Sequence, residues 1–294
     1  MNQIEERTFS LEGARSGKKI TGKMTFRPNS KAKPIIIFAH GFKGFMDWGH
    51  FPMLSAEMAK NGFVFIRFNF SMNGITESSP MEIEDEEAFG RNTFSDEMND
   101  LGAVIDWVQK EAGGIVGQEL NLDQLSLMGH SRGGGLVILK ATEDPRVKAT
   151  ISLAGVHDFS TRYPPAMLQK WKQDGVLYVL NGRTGKNLPV YWETVEDFLA
   201  SKDRFDIPNR IKTLSTPLLL FHGDQDETLA VSTAYTLASW KPDAKLIVME
   251  GAGHTFGGKH PWTQENLPDY AQEIVNESTN FLKMHYEKPP TKHS

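Results

Sequence analysis

The sequence contains no cysteine, which excludes disulfide bonds, thiolate nucleophiles and cysteine-ligated metal sites. It also lacks long apolar runs: the longest are a few residues, whereas a membrane-spanning helix needs about 20. The N-terminus is polar and acidic and has no apolar core of an export signal. We therefore expect a cytoplasmic protein without a membrane span, although a chain whose export signal had been removed would look the same.

An excess of positive charge is missing as well. The chain carries 32 Lys and Arg against 37 Asp and Glu, a net charge of −5. Neutralising nucleic-acid phosphates requires a basic surface, so we expect no nucleic-acid partner. The 294 residues, 39% hydrophobic and 23% charged, are typical of a globular protein with a large core. Composition leaves the oligomeric state open.

Short apolar runs alternate with helix-type patterns along most of the chain. An antiparallel hairpin is predicted at 3–12 and 18–27. Continuous apolar runs, typical of strands buried on both faces, lie at 34–39, 63–68, 125–130, 147–153, 218–221 and 245–249. Helices are predicted at 52–61, 93–110, 136–141, 229–239 and 269–286. This alternation predicts an α/β fold whose mostly parallel sheet has helices on both faces.

The alternation is interrupted between residues 157 and 212, where prolines and an Asn-Gly pair separate two or three short helical stretches. We interpret this segment as a cap inserted into a single domain that spans 1–294. Its aromatic residues either line a substrate site or form a minor core of the cap, and the sequence does not choose. They are Phe159, Tyr163, Trp171, Tyr178, Tyr191, Trp192, Phe198 and Phe205.

A Gly-x-Ser-x-Gly motif at 129–133 stands between a predicted strand and a predicted helix. This is the sequence form of a nucleophile elbow, a strained turn that needs residues without bulk on either side of the serine. The turn would expose the Ser131 hydroxyl at the carboxyl end of the sheet, where active sites of such folds lie. It would also direct the Arg132 backbone N–H toward the same point.

A serine nucleophile needs a base, usually histidine, and a carboxylate that orients it. His254 follows the last predicted strand in a loop of small residues, and we expect it to be the base. His260, slightly further on, is its competitor, and three more histidines also follow strands: His40, His130 and His222. For the carboxylate, Asp224 and Asp226 both follow the strand at 218–221, and spacing alone does not decide between them.

Together, Gly-His-Ser-Arg-Gly-Gly at 129–134, His-Gly-x-x-Asp at 222–226 and Gly-His at 253–254 resemble the α/β-hydrolase superfamily over nearly the whole chain. The resemblance is closest to the small serine esterases that include dienelactone-hydrolase-like and feruloyl-esterase-like proteins. The order of serine, acid and histidine is that of the superfamily. The family's acid stands three residues after the motif glycine, which implies Asp226.

The resemblance also implies an α/β-hydrolase fold and an oxyanion hole. The family's His-Gly oxyanion motif matches residues 40–42, so the backbone N–H groups of Phe42 and Arg132 are the implied donors. In this superfamily, a cap inserted at the position of residues 157–212 covers the active site.

The implied activity is that of a serine carboxylesterase, which cleaves a small-molecule ester through an acyl-enzyme with no metal or organic cofactor. A serine nucleophile, in place of cysteine, favours an ester over a dienelactone. Three alternatives keep the same fold: a small-peptide serine peptidase, a thioesterase and a non-hydrolytic ligand-binding protein. The sequence leaves the natural substrate open.

Overall fold

A computed structural model describes residues 3–162 and 165–287 of the chain. Within these ranges, none of the helices is both long and apolar enough to cross a bilayer. The strands are β1 (Glu5–Glu12), β2 (Lys19–Phe26), β3 (Lys33–Ala39), β4 (Val64–Asn69), β5 (Leu120–His130), β6 (Val147–Leu153), β7 (Val176–Leu180), β8 (Asn187–Tyr191), β9 (Leu218–Gly223) and β10 (Lys245–Met249). The α-helices are α1 (Phe51–Lys60), α2 (Glu86–Arg91), α3 (Phe94–Lys110), α4 (Gly113–Val116), α5 (Arg132–Glu143), α6 (Pro165–Asp174), α7 (Glu193–Ala200), α8 (Ile207–Arg210), α9 (Ser232–Trp240) and α10 (Asp269–Tyr286).

Eight strands form one sheet in the order β1-β2-β4-β3-β5-β6-β9-β10. The first two pairings, β1 with β2 and β2 with β4, are antiparallel, and the remaining pairings are parallel. This confirms the predicted α/β fold class, including the antiparallel hairpin at the edge. The parallel arrangement brings the carboxyl ends of β3, β5, β9 and β10 to the same side of the sheet.

Helices cover both faces because alternate residues of each buried strand point to opposite sides. In β3, Ile35 and Ile37 belong to a core shared with α3 and α5, whereas Ile36 and Phe38 belong to one shared with α1 and α10. All four side chains are fully buried. The continuous apolar pattern that predicted the central strands therefore reflects burial on two faces.

The segment at 157–212, which we call the cap, contains a hairpin that the sequence analysis did not predict. β7 and β8 pair antiparallel and form a separate two-stranded sheet between the short helices α6 and α7. Pro189 lies inside β8, and a proline usually argues against a strand. A two-stranded sheet has free edges that tolerate proline, which is why this sequence pattern was misleading. Tyr163 of the cap lies outside the described residues.

Candidate active site

Ser131 occupies a sharp turn between β5 and α5, with φ 56° and ψ −118°. Such a positive φ is strained for a residue with a side chain and persists only where the surroundings enforce it. A Cβ atom on Gly129 would lie 2.3 Å from the Gly133 carbonyl oxygen, and one on Gly133 would lie 2.2 Å from that of Ala39. The motif glycines are therefore required by backbone packing around the turn.

The structure brings Ser131 together with His254 and Asp226. The Nε2 atom of His254 lies 3.0 Å from the Ser131 hydroxyl, and its Nδ1 atom lies 2.8 Å from Oδ2 of Asp226. These residues follow β5, β10 and β9, so the parallel sheet places them at one edge. The geometry allows the imidazole to accept the hydroxyl proton at Nε2 while Nδ1 donates to the carboxylate.

The Asp226 side chain is completely buried and held by several donors. Its Oδ1 atom accepts hydrogen bonds from the backbone N–H groups of Thr228 and Leu229, both at 2.8 Å, and Nε2 of His222 lies 3.2 Å from Oδ2. Burial alone would raise the pKa of Asp226, but the hydrogen bonds from His222, His254 and the backbone outweigh it and hold this pKa well below its usual range. The carboxylate therefore stays ionised at neutral pH.

The competing acid and base lie elsewhere. Asp224 accepts a hydrogen bond from the backbone N–H of Gly251 at 2.7 Å, and Nδ1 of His260 accepts one from that of Gly49 at 2.9 Å. His260 also packs edge-on against Phe45. Neither residue is hydrogen-bonded to Ser131 or His254, and each fastens one loop to another.

The other strand-end histidines support the site without contacting the serine hydroxyl. Nδ1 of His40 donates to the Gly41 carbonyl at 2.9 Å, and Nε2 of His130 donates to the carbonyl of His254 at the same distance. Burial lowers the pKa of His40 to about 4 and that of His130 to about 3, so both are neutral at pH 7. The His130 contact anchors the loop that carries His254.

Arg132 directly follows Ser131 in the chain, and Phe42 follows Gly41, which packs against Ser131. The backbone N–H groups of Phe42 and Arg132 are the predicted oxyanion donors. A Cβ atom on Gly41 would lie 3.0 Å from Cβ of Ser131, so the Gly41–Phe42 backbone packs directly against the serine. Arg132 is the first residue of α5, where free N–H groups and the helix dipole favour negative charge. Both residues line the same cavity as Ser131.

Glu97, on α3, is a supporting residue that the sequence analysis missed. It is buried and accepts hydrogen bonds from Nε of Arg132 at 2.7 Å and from the Asn92 amide at 2.8 Å. The Arg132 guanidinium stacks 4.2 Å from the ring centroid of Phe94, and its centre lies 5.4 Å from that of Phe42. The position of Glu97 four residues before the buried Leu101 shows that it shares the core-facing stripe, a signal present in the sequence.

Two cavities meet at Ser131 and His254. The first, of about 510 Å³, we call the apolar cavity, because Phe94, Phe159, Trp171, Leu177 and Val190 contribute to its wall. The second, of about 460 Å³, we call the hairpin cavity; Trp48, Phe51, Asn181, Arg183 and Thr255 are among its lining residues. The serine therefore has room for a substituent on each side of a bound carbonyl group.

The cap aromatics divide between the wall of a cavity and a packed core. Phe159 and Trp171 line the apolar cavity, whereas Phe198 and Phe205 stack on each other with ring centroids 6.1 Å apart in the core. Tyr178 is exposed on the outer side of β7. Part of the cap therefore faces the cavity, and part packs into the core beside the central sheet.

Comparison of the sequence with known proteins identifies its family. A family model described as "Alpha/beta hydrolase family" matches residues 36–265. An uncharacterized 31.7 kDa protein from the traX-finO intergenic region of Escherichia coli is 30% identical over 131 residues, which are 44% of this chain and 40% of that protein. The match thus spans less than half the length of that relative.

Solved structures share the fold at low sequence identity. Est1E from Butyrivibrio proteoclasticus, solved with ferulic acid bound, is 18% identical with a TM-score of 0.67, and the alignment covers 95% of this chain and 100% of Est1E. A putative dienelactone hydrolase from Klebsiella pneumoniae is 15% identical with a TM-score of 0.59, covering 95% of this chain and 98% of that protein. The sheet order and these alignments agree on the fold that the sequence motifs implied.

Proposed function

The chain belongs to the alpha/beta hydrolase family, and on that premise we propose that it is a serine esterase that cleaves a small carboxylic ester. The observation that supports this proposal is the continuous hydrogen-bonded chain from the Ser131 hydroxyl through His254 to Asp226. Ser131 and His254 also line both cavities. This is the position expected of a nucleophile that attacks a carbonyl with a substituent on each side.

In the proposed reaction, Nε2 of His254 takes the hydroxyl proton while Oγ of Ser131 attacks the acyl carbon. The tetrahedral intermediate collapses, His254 returns the proton to the leaving alkoxide, and the alcohol departs. A water molecule, deprotonated by the same imidazole, then attacks the acyl-enzyme, and the acid product leaves Ser131 with its proton restored. Asp226 stays ionised throughout and stabilises the imidazolium.

The negative charge that develops on the carbonyl oxygen needs donors already in place. We assign this role to the backbone N–H groups of Phe42 and Arg132. Glu97 supports the assignment indirectly, because its ion pair with Arg132 holds the guanidinium that packs against both Phe94 and Phe42. This packing keeps the two donor-bearing segments next to each other.

An ester is the preferred substrate class because structural neighbours include the esterase domain of a Rhodothermus marinus protein and Est1E, which was solved with ferulic acid bound. The cap, as part of a single domain, contributes Trp171 and Leu177 to the apolar cavity and Arg183 to the hairpin cavity. We infer that it covers the substrate and selects among esters. The buried aromatic wall favours an apolar group on one side of the scissile bond.

The proposal is tested by hydrolysis of 4-nitrophenyl esters from acetyl to octanoyl. We expect the wild type to cleave the shorter members, and Ser131→Ala and His254→Ala each to lower kcat by about 10⁴–10⁶-fold, non-additively because the residues act as a unit. Measurement of kcat across the series also shows how long an acyl chain the site accepts.

His260→Ala is the matched control, since it removes a neighbouring histidine that is bound to Gly49 and not to the serine. It should keep kcat within several-fold of wild type. A severe loss in His260→Ala with a mild one in His254→Ala would refute the assignment of the base. Absence of ester hydrolysis by folded wild-type protein would refute the esterase itself.

A further inference from the structure

We propose that the hairpin cavity binds a carboxylate carried by the substrate, with Arg183 as the residue that recognises it. This inference rests on the proposed esterase function and narrows its substrate class to anionic esters, such as half-esters of dicarboxylic acids. The proposal starts from a cation that lines the same cavity as the candidate nucleophile and whose terminal nitrogens have no acceptor among the described residues.

Arg183 lies in the turn that joins β7 to β8, and hydrogen bonds of Asn181 hold this turn in its conformation. The Asn181 backbone N–H donates to the Lys186 carbonyl at 2.8 Å, and the Asn181 carbonyl accepts from the N–H of Gly185 at 2.8 Å. The buried Asn181 side chain also accepts a hydrogen bond from the backbone N–H of Arg183 at 3.3 Å. The backbone at Arg183 is thus set in place by the hairpin itself.

Arg183 as a whole is half-buried, but the two terminal nitrogens of its guanidinium are buried. Its Nη1 and Nη2 atoms have no hydrogen-bond partner anywhere in the described ranges, 3–162 and 165–287. Its centre lies 5.1 Å from the ring centroid of Phe45, a cation–π contact that leaves the N–H donors unsatisfied. Burial lowers the pKa of Arg183, and the attraction of Glu82 opposes this only in part. A buried charge without acceptors is costly unless a ligand supplies them.

The lining of the hairpin cavity favours an anion. Among the described residues that form it there are two cations, Lys43 and Arg183, and no Asp or Glu. Nζ of Lys43 donates to the Leu180 carbonyl at 3.0 Å, which ties the hairpin to the loop after β3. The planar guanidinium presents two parallel donors, an arrangement that matches the two oxygens of a carboxylate.

Because Ser131, His254 and Arg183 line the same cavity, a single substrate molecule can present its ester to Ser131 and its carboxylate to Arg183. The apolar cavity, which also meets Ser131, then receives the uncharged half of the ester. This division places the neutral group against cap residues such as Trp171 and Leu177, and the carboxylate near Arg183, which lines the hairpin cavity and not the apolar cavity.

The test compares two 4-nitrophenyl esters that differ in charge: 4-nitrophenyl hydrogen glutarate, which carries a free carboxylate, and its neutral methyl ester. We expect wild-type kcat/KM to favour the anionic ester by about 10- to 100-fold, the range for a hydrogen bond to a charged group. The preference should appear mainly in KM. Arg183→Gln should bring the ratio of the two kcat/KM values close to one. Arg183→Lys keeps the charge but not the two parallel donors of the guanidinium, and it should give an intermediate ratio.

Lys186→Gln is the matched control, because it removes a positive charge from an exposed position on the same hairpin that does not line the cavity. It should leave the preference for the anionic ester at its wild-type value. Circular dichroism checks that each variant keeps the wild-type secondary structure. A wild-type ratio near one, or an equal ratio in wild type and folded Arg183→Gln, would overturn the inference.

A binding measurement separates this inference from the esterase proposal. Monomethyl glutarate, which carries one ester and one carboxylate, is titrated calorimetrically into Ser131→Ala protein, with and without Arg183→Gln. We expect at least tenfold weaker binding in the double variant. Hydrolysis without charge preference would overturn this inference alone. Arg183-dependent binding without any hydrolysis would overturn the esterase alone, and the absence of both would overturn the two together.

Discussion

At the scale of single residues, the proposed chemistry depends on a carboxylate that is buried and still ionised. Asp226 meets this condition because two backbone N–H groups and two imidazoles donate hydrogen bonds to it. His222 lies four residues before Asp226 and contacts both its carboxylate and the Leu229 carbonyl. The loop after β9 is therefore organised around this one charge.

Replacement of Asp226 by asparagine should lower kcat about 10⁴-fold toward 4-nitrophenyl butyrate, because an amide favours the wrong tautomer of His254. The control is Asp224→Asn. This neighbouring carboxylate accepts a hydrogen bond from the Gly251 backbone N–H and is not hydrogen-bonded to His254. Asp224→Asn should stay within several-fold of wild type in steady-state assays. Equal losses of kcat in the two variants would mean that catalysis depends on the conformation of the loop and not on the charge of Asp226.

At the scale of elements, β5 and α5 meet at Ser131 so closely that a Cβ atom on Gly129 would overlap the Gly133 carbonyl. The close approach at Gly129 and Gly133 involves backbone atoms, which cannot move aside as a flexible side chain can. The strained φ of Ser131 persists because the strand below and the helix above it are both fixed in the core. The elbow is thus a property of the strand–helix pair.

Gly129→Ala should reduce the free energy of unfolding by about 3 kcal/mol or more, because the new methyl group would overlap the Gly133 carbonyl. Gly113→Ala is the control: it begins the short helix α4, and a Cβ there meets nothing within 4 Å. The control should be neutral or stabilising by up to about 1 kcal/mol. Urea denaturation measures both, and a mild effect of Gly129→Ala would show that the elbow tolerates bulk.

At the scale of the whole molecule, several histidines are buried in neutral form and link stability to pH. Burial lowers the pKa of His40 and His50 to about 4 and that of His130 to about 3. In the unfolded chain each would titrate near 6.5. Below about pH 6.5 the unfolded state therefore binds more protons than the folded state, and acidification favours unfolding.

We expect the free energy of unfolding to fall between about pH 6 and pH 5 by about 1.4 kcal/mol per pH unit for each buried histidine. His50→Phe should remove one such contribution and flatten the slope accordingly. His50 suits this test because its Nδ1 atom has no partner among residues 3–162 and 165–287. Urea titrations at a series of pH values measure the slope, and identical slopes in wild type and variant would contradict the linkage.

Much of the fold was predictable from local pattern. The strands at 147–153 and 245–249 and the helix at 269–286 begin and end where the sequence predicts, because apolar runs and helical periodicity directly reflect burial. The β7–β8 hairpin was not predictable in the same way. Its strands are short and partly exposed, and their pairing depends on a partner strand that neither segment specifies by itself.

The sequence by itself determined the elbow around Ser131 and the presence of polar candidates after β9 and β10, since both follow from patterns within a few neighbouring residues. Only the tertiary structure decided that His254, and not His260, lies beside Ser131, and that Asp226 faces His254 while Asp224 holds Gly251. The tertiary structure also places Arg183 in the hairpin cavity, which Ser131 lines as well. The physical reason is that these contacts join distant segments, whose meeting depends on sheet order and loop paths.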